Sequence, residues 1–205
     1  MSRQPSPLVR KKILSVARQI FGDKGYKEAT VREIARLADV STGGLYPYFG
    51  NKEQLYVEAL HEGAELYNAG IRGLENENPE VAVRHYIEHH LEYTASRKQI
   101  VSLQFRDYDL EFAKLFRTRF FAYQKEFLEA IIRKGAEQRI FSVVDCGDAA
   151  LFILCVLKGA FFYDLANTIN LGKSGNALCR LVLRFLKQEE INGESTAARP
   201  GNTKW

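Results

Sequence analysis

The chain has 205 residues, 46% of them hydrophobic and 26% charged, with a formal net charge of +4. That is enough apolar material for a real core without disulfide staples, and it excludes a disordered or collagen-like chain. The charge is uneven: residues 1–56 hold 10 Lys and Arg against 5 Asp and Glu, and the rest of the chain holds 19 against 20. All the positive excess therefore sits in the first quarter, the pattern expected where a chain meets a polyanion.

No stretch shows the strict period-two alternation of a strand, and helical spacing recurs from end to end, so an all-α fold is expected. Leu8, Ile13, Val16, Ala17, Ile20 and Phe21 define a first amphipathic helix that ends near Asp23-Lys24-Gly25, with Gly25 suited to a left-handed cap. Thr30 and Glu33 form the T-x-x-E capping box of a short second helix. Ser41 opens an equally short third, which Pro47 prevents from continuing. Asn51 opens a fourth that runs to about Leu74. After the polar break Glu75 to Asn78, Pro79 suits the first turn of a helix over about 79–95. Further helices are expected at about 98–106, 109–138, 146–168 and 174–190, followed by a disordered tail at 193–205.

The longest apolar run, Ala149 to Leu157, stops at Lys158, short of the roughly 20 residues that span a bilayer. The segment following Met1 to Lys12 lacks the apolar stretch of a signal peptide, so a cytoplasmic protein with no membrane partner is expected. Cys146, Cys155 and Cys179 contain no C-x-x-C pair and read as small buried hydrophobes.

Two short helices joined by a tight turn, behind a basic arm and a first helix, suggest a helix-turn-helix, with Ala35, Val40 and Leu45 where the helices cross. The residues go further. Phe21, Lys24-Gly25-Tyr26, Thr30-Val31-Arg32-Glu33-Ile34-Ala35, Ala38 to Tyr46, Tyr48-Phe49 and Asn51 to Leu55 resemble, in register, the DNA-binding domain of TetR-family transcriptional regulators. Two positions depart from the family pattern: Asp39 stands where a glycine is usual, and Gly44 where threonine, serine or alanine is common.

The resemblance implies a DNA-binding domain over 1–56 and an effector-binding and dimerisation domain over 57–192. In the first, Ser41 and Thr42 open the recognition helix, where a hydroxyl can cap, bind phosphate or touch a base edge. Gly43 and Gly44 let the backbone come close, and Tyr46, Tyr48 and Lys52 are expected at phosphates, with Thr30 and Arg32 across the groove. Phe49 reads as packing. In the second domain, Tyr93, Phe105, Arg106, Phe112, Phe116 and Tyr123 are candidates for a pocket that takes a hydrophobic or aromatic effector. Asp107 or Asp109, or an acid on the ligand, would partner Arg106. Helix 146–168 is apolar nearly all round, so Phe152, Leu157, Phe161, Leu178, Val182 and Phe185 are expected to form a homodimer interface.

The function that follows is a ligand-responsive repressor, not an enzyme and without a cofactor, released from a double-stranded palindromic operator by its effector. A rival reading comes from His85-Tyr86-Ile87-Glu88-His89, which spells H-x-x-E-H and could put His85, Glu88 and His89 on one metal-binding face of a hydrolase. A solvated or pocket-lining helix face is the expected reading of that motif, with no metal. A third reading is a constitutive DNA-binding protein with a filled pocket.

Overall fold

The computed structural model describes residues 6–98, 101, 107–165 and 171–187. The helices are α1 (Pro7–Glu28), α2 (Val31–Leu37), α3 (Thr42–Leu45), α4 (Lys52–Ile71), α5 (Pro79–Ser96), α6 (Glu111–Glu137), α7 (Cys146–Leu165) and α8 (Leu171–Lys187), with a 3-10 turn at Leu74–Asn76. The described residues contain no strand. The expected helix at 98–106 and the tail at 193–205 lie outside the described residues.

Side-chain caps start the helices of the N-terminal third. Thr30, Ser41 and Asn51 accept from the backbone N–H groups of Glu33, Gly44 and Gln54 at 3.1, 2.9 and 2.7 Å, satisfying donors that the first helical turn leaves open. Asp39 has φ 59°, and around it Val40 N–H donates to Ala35 O at 3.0 Å while Asp39 N–H donates to Arg36 O. These two bonds close α2 in a Schellman turn, the left-handed site that aspartate tolerates better than most residues. Ile13, Phe21, Ile34, Leu45, Phe49, Leu55 and Tyr56 fill the space among α1 to α4 with no exposed surface. Burying each of the larger ones contributes about 1.5–3 kcal/mol.

Gly25 corrects the expected end of α1. Its φ 79°, ψ 173° falls in a region open essentially only to glycine, but the chain kinks there and makes one more turn through Glu28 instead of stopping. The helix α4 crosses residue 56 without a break, so the two expected domains share it.

In the C-terminal part α5 is central, packed against α4, α6, α7 and α8, and α6 packs along α7. The stretch Cys146–Asp164 on α7 is long and apolar enough to cross a membrane by length and composition, which revises the expectation drawn from the uninterrupted run alone. A third of it is buried within this chain, and it packs on α5, α6 and α8. Of the cysteines, Cys179 is buried, Cys146 partly so and Cys155 exposed, so one of the three is not the core residue expected.

Gly25→Ala should lower stability by about 1–3 kcal/mol, because alanine is strained at that φ and ψ. Gly43→Ala, where an added Cβ meets open space, should be neutral or stabilising by up to about 1 kcal/mol. Urea denaturation of the two variants checks the contrast.

Candidate nucleic-acid interface and interior cavities

Ser41, Thr42, Gly43 and Tyr46 are all exposed at α3, with Tyr46 48% open. The cap explains Gly44: a Cβ there would come within 2.9 Å of Ser41 Oγ, the atom that accepts from its own N–H. Glycine thus keeps the cap of the four-residue helix intact. Tyr48 is half-buried, and its phenol oxygen accepts from the Ser6 N–H at 3.1 Å, which fixes the start of α1 against the turn after α3. Phe49 is fully buried, with the Arg10 guanidinium 5.3 Å from its ring centroid.

Most cations of this region are already engaged. Arg10 pairs with Glu58, Arg18 with Glu62 at 2.7 Å, Lys24 with Glu33 at 2.7 Å and Lys12 with Asp39 at 3.7 Å. Lys27 reaches Asp109 at 3.9 Å. Lys52 begins α4 as expected, but its ammonium sits 4.3 Å over the Tyr26 ring. Burial lowers its pKa, and Asp107 pulls the other way. In the free chain it therefore rests on that ring at the start of α4. Lys11, Arg32 and Arg36 are exposed and make no ion pair among the described residues. Charge patterning alone did not single out Lys11 and Arg36, because it cannot tell a paired cation from a free one.

The kink at Gly25 positions a junction that sequence reasoning missed. It turns the Tyr26 N–H out of the helical ladder and onto Asp107 Oδ2 at 2.9 Å, where the Tyr56 hydroxyl also donates at 3.1 Å. Asp107 is buried. Arg117, also buried, donates to the carbonyls of Asp107 at 3.1 Å, Leu110 at 3.2 Å and Tyr108. One guanidinium from α6 thus holds the turn that carries Asp107. Rings close the same junction: Phe112 lies 4.9 Å from Tyr26 and 5.9 Å from Tyr56, and Phe21 lies 5.0 Å from Tyr56. Asp107 thus serves α1 and α4 and Asp109 meets Lys27 of α1, while Arg106, their expected partner, lies outside the described residues.

The effector candidates do not share one pocket. Tyr93 walls a cavity with Tyr67, His90, Phe120, Phe161 and Lys158, its hydroxyl donating to Gly63 O at 2.7 Å. Phe116 and Tyr123 line a separate open groove of about 280 Å³ between α4 and α6. Phe112 shows one edge to that groove but belongs mainly to the Asp107 junction. Phe105 and Arg106 lie outside the described residues. Phe120 borders both spaces.

The H-x-x-E-H side chains are spent elsewhere. His85 Nδ1 meets Glu77 at 2.8 Å, and His89 Nε2 meets the Tyr67 carbonyl at 3.0 Å. The His89 ring fills the notch over Gly70, where a Cβ would overlap it. Glu88 is exposed. Among the described residues no group of three His, Cys, Asp or Glu side chains is gathered as for a metal.

Three of the expected interface residues, Leu157, Phe161 and Val182, are buried within the single chain and so are not part of its open surface. They lie where α7 and α8 pack against other helices of the same chain. Leu178 is half-buried. Phe152 and Phe185 are exposed at 48% and 42% with ring centroids 4.7 Å apart, beside exposed Leu151 and Leu181.

Residues 13–59 match the family described as bacterial regulatory proteins, tetR family. The regulator HbdR of Aromatoleum sp. (strain CIB) is 39% identical over 62 residues, covering 30% of this chain and 27% of that protein. QacR of Staphylococcus aureus is 42% identical over 53 residues, 26% and 28% of the two. RutR of Escherichia coli K12 is 33% identical over 91 residues, 44% and 43%. The matched segments thus span between about a quarter and two-fifths of these relatives. The fold likeness covers far more. PfmR of Thermus thermophilus superposes with a TM-score of 0.72 at 26% identity, over 84% of this chain and 97% of that one. The fatty acid degradation regulator FadR of Bacillus halodurans does so with 0.75 at 22%, over 88% and 97%.

Burial holds the His90 imidazole neutral, its pKa lowered from 6.5 to about 3. The unfolded chain takes up a proton below about pH 6.5 that the folded chain refuses, so this contribution to stability is complete above 6.5 and is lost as the pH falls toward 3. The melting temperature should drop between pH 7 and 4, and less steeply in His90→Gln. Equal slopes for the two proteins would contradict the assignment.

Proposed function

By residues 13–59 the chain belongs to the TetR family of bacterial regulatory proteins, and from that premise we propose that it is a cytoplasmic, homodimeric, ligand-responsive transcriptional repressor. The observation that carries the reading is the exposed edge formed by α2 and α3. Thr42 and Gly43 stand open at the start of a capped recognition helix, flanked by Lys11, Arg32 and Arg36 with no acid to neutralise them. Residues 1–56 form the reading head and 57–192 the body. The body sets the spacing of two heads through the exposed apolar surface of α7 and α8 around Phe152 and Phe185. Fixed half-site spacing on a palindrome makes a small change in that geometry costly to binding.

The effector acts from the body, where an apolar cavity lies against α4, α5, α6 and α7. A Bacillus subtilis FadR of similar fold, TM-score 0.74 at 18% identity over 84% of this chain and 97% of that one, was solved in complex with stearoyl-CoA. The path from cavity to head is short: α6 carries Phe120 at the cavity and Arg117 at the turn that presents Asp107 to Tyr26 and Tyr56. Movement of α6 relative to α4 therefore reaches the head through that carboxylate. The engaged His85 and His89 leave the hydrolase reading without support.

A genomic footprint with the purified protein recovers the operator, and titrations on operator and random duplex test the reading. About six open cations in a pair of heads give a slope of log K against log salt near −5. Arg36→Ala should weaken both duplexes alike, whereas Thr42→Ala should remove about 1–3 kcal/mol of preference for operator. A slope shallower than about −2, or one specificity ratio for both variants, contradicts it.

A further inference from the structure

Three polar side chains from three helices meet at the cavity walled by Tyr93: His90 of α5, Gln124 of α6 and Lys158 of α7. Its walls are rings and aliphatic carbons, among them Tyr67, Tyr93, Phe120 and Phe161. Gln124 is 3% exposed, yet its amide makes no hydrogen bond in the described structure. Lys158 has its ammonium 3.7 Å from the Phe121 ring centroid and no carboxylate partner. Burial lowers its pKa, and the one ionisable group favouring its charge is the Cys155 thiol. Asp164, a residue of the same helix that could have served, is paired with Lys98 at 2.6 Å. On His90, Nδ1 lies 3.1 Å from the Tyr67 hydroxyl. With Tyr67 donating there, the neutral ring carries its proton on Nε2.

A half-buried ammonium without a counter-charge and a buried amide without a partner are both costly. Placed together they are complementary to something absent from the chain. The donors are an ammonium, an amide NH2 and an imidazole N–H; the hydrogen-bond acceptor they lack is a compact anion. One cation offsets one negative charge, which fits a carboxylate and leaves a phosphate dianion half unmatched. The rings fit an apolar body behind it. Space limits that body: about 30 Å³ is open to the centre of a water-sized sphere, room for about two or three waters, so neither an aromatic ring nor a long chain is accommodated.

We propose that this cavity binds a short-chain monocarboxylate of two or three carbons, its carboxylate on Lys158 with Gln124 and His90 donating to it. The proposal rests on the ligand-responsive reading above and names the chemical class of the effector. The nonpolar wall contributes affinity; the single unpaired cation selects acids over their neutral counterparts.

Matched pairs test it: acetate and acetamide, propionate and propionamide. Binding is measured by calorimetry and by melting temperature, and release of operator DNA is read in parallel. At least one acid should bind about tenfold or more tighter than its neutral partner, the size of one charge-assisted hydrogen bond, and should release DNA. Lys158→Met should erase the discrimination and melt no lower than the parent, since it removes an unpaired charge. Gln124→Leu, which keeps the charge, should weaken the acids several-fold and leave the amides unchanged. Neutral compounds that bind as well as the acids and release DNA would overturn the carboxylate and leave the ligand-responsive reading standing. A protein that holds operator DNA and binds neither series would overturn both. Discrimination that survives in Lys158→Met would move the anion away from this cavity and overturn the assignment.

Discussion

Asp107 is where the N-terminal helices and the body are held to each other by directed bonds as well as by packing. A buried carboxylate is stable only if its lone pairs are met. Here one oxygen takes both the Tyr26 N–H and the Tyr56 hydroxyl. Each donor depends on a separate feature: the first exists because Gly25 breaks the helical ladder, the second because Tyr56 is locked among Phe21, Tyr26 and Phe112. Arg117 holds the carbonyls of the same turn. The junction therefore has one geometry or none, and that property lets a displacement in the body be felt at α1 and α4.

The charge of the head follows the same economy. Its cations are mostly tied to acids, several of them on α4, and so contribute to docking α1 on α4 more than to any external partner. What is left open among the described residues is Lys11 on α1 and Arg32 and Arg36 on α2. A net charge counted along the sequence measures long-range attraction, while the contacts themselves come from this smaller set.

Local rules were readable in advance where the cause is local. Thr30, Ser41, Asn51 and Pro79 start helices through bonds or backbone constraints a few residues long, and Asp39 takes the left-handed position for the same reason. The in-register motif gave the DNA-binding head. What failed depends on distant partners. Nothing near Lys52 in sequence reveals that Tyr26 lies under its ammonium, and nothing near Phe112 says that α1 and α4 will claim its ring. Leu157, Phe161 and Val182 look like interface residues, until other helices of the same chain cover them. The cavity polar groups were invisible for the same reason: His90, Gln124 and Lys158 are separated by tens of residues and each fits its own helix unremarkably.

The Asp107 junction should make one cooperative unit of head and body. Scanning calorimetry of Asp107→Ala tests this directly. The parent should unfold in a single transition, and the variant, in which the Tyr26 N–H and the Tyr56 hydroxyl lose this acceptor, should separate into an early transition of the head and a later one of the body. A variant that unfolds in one transition at nearly the parent temperature would contradict it.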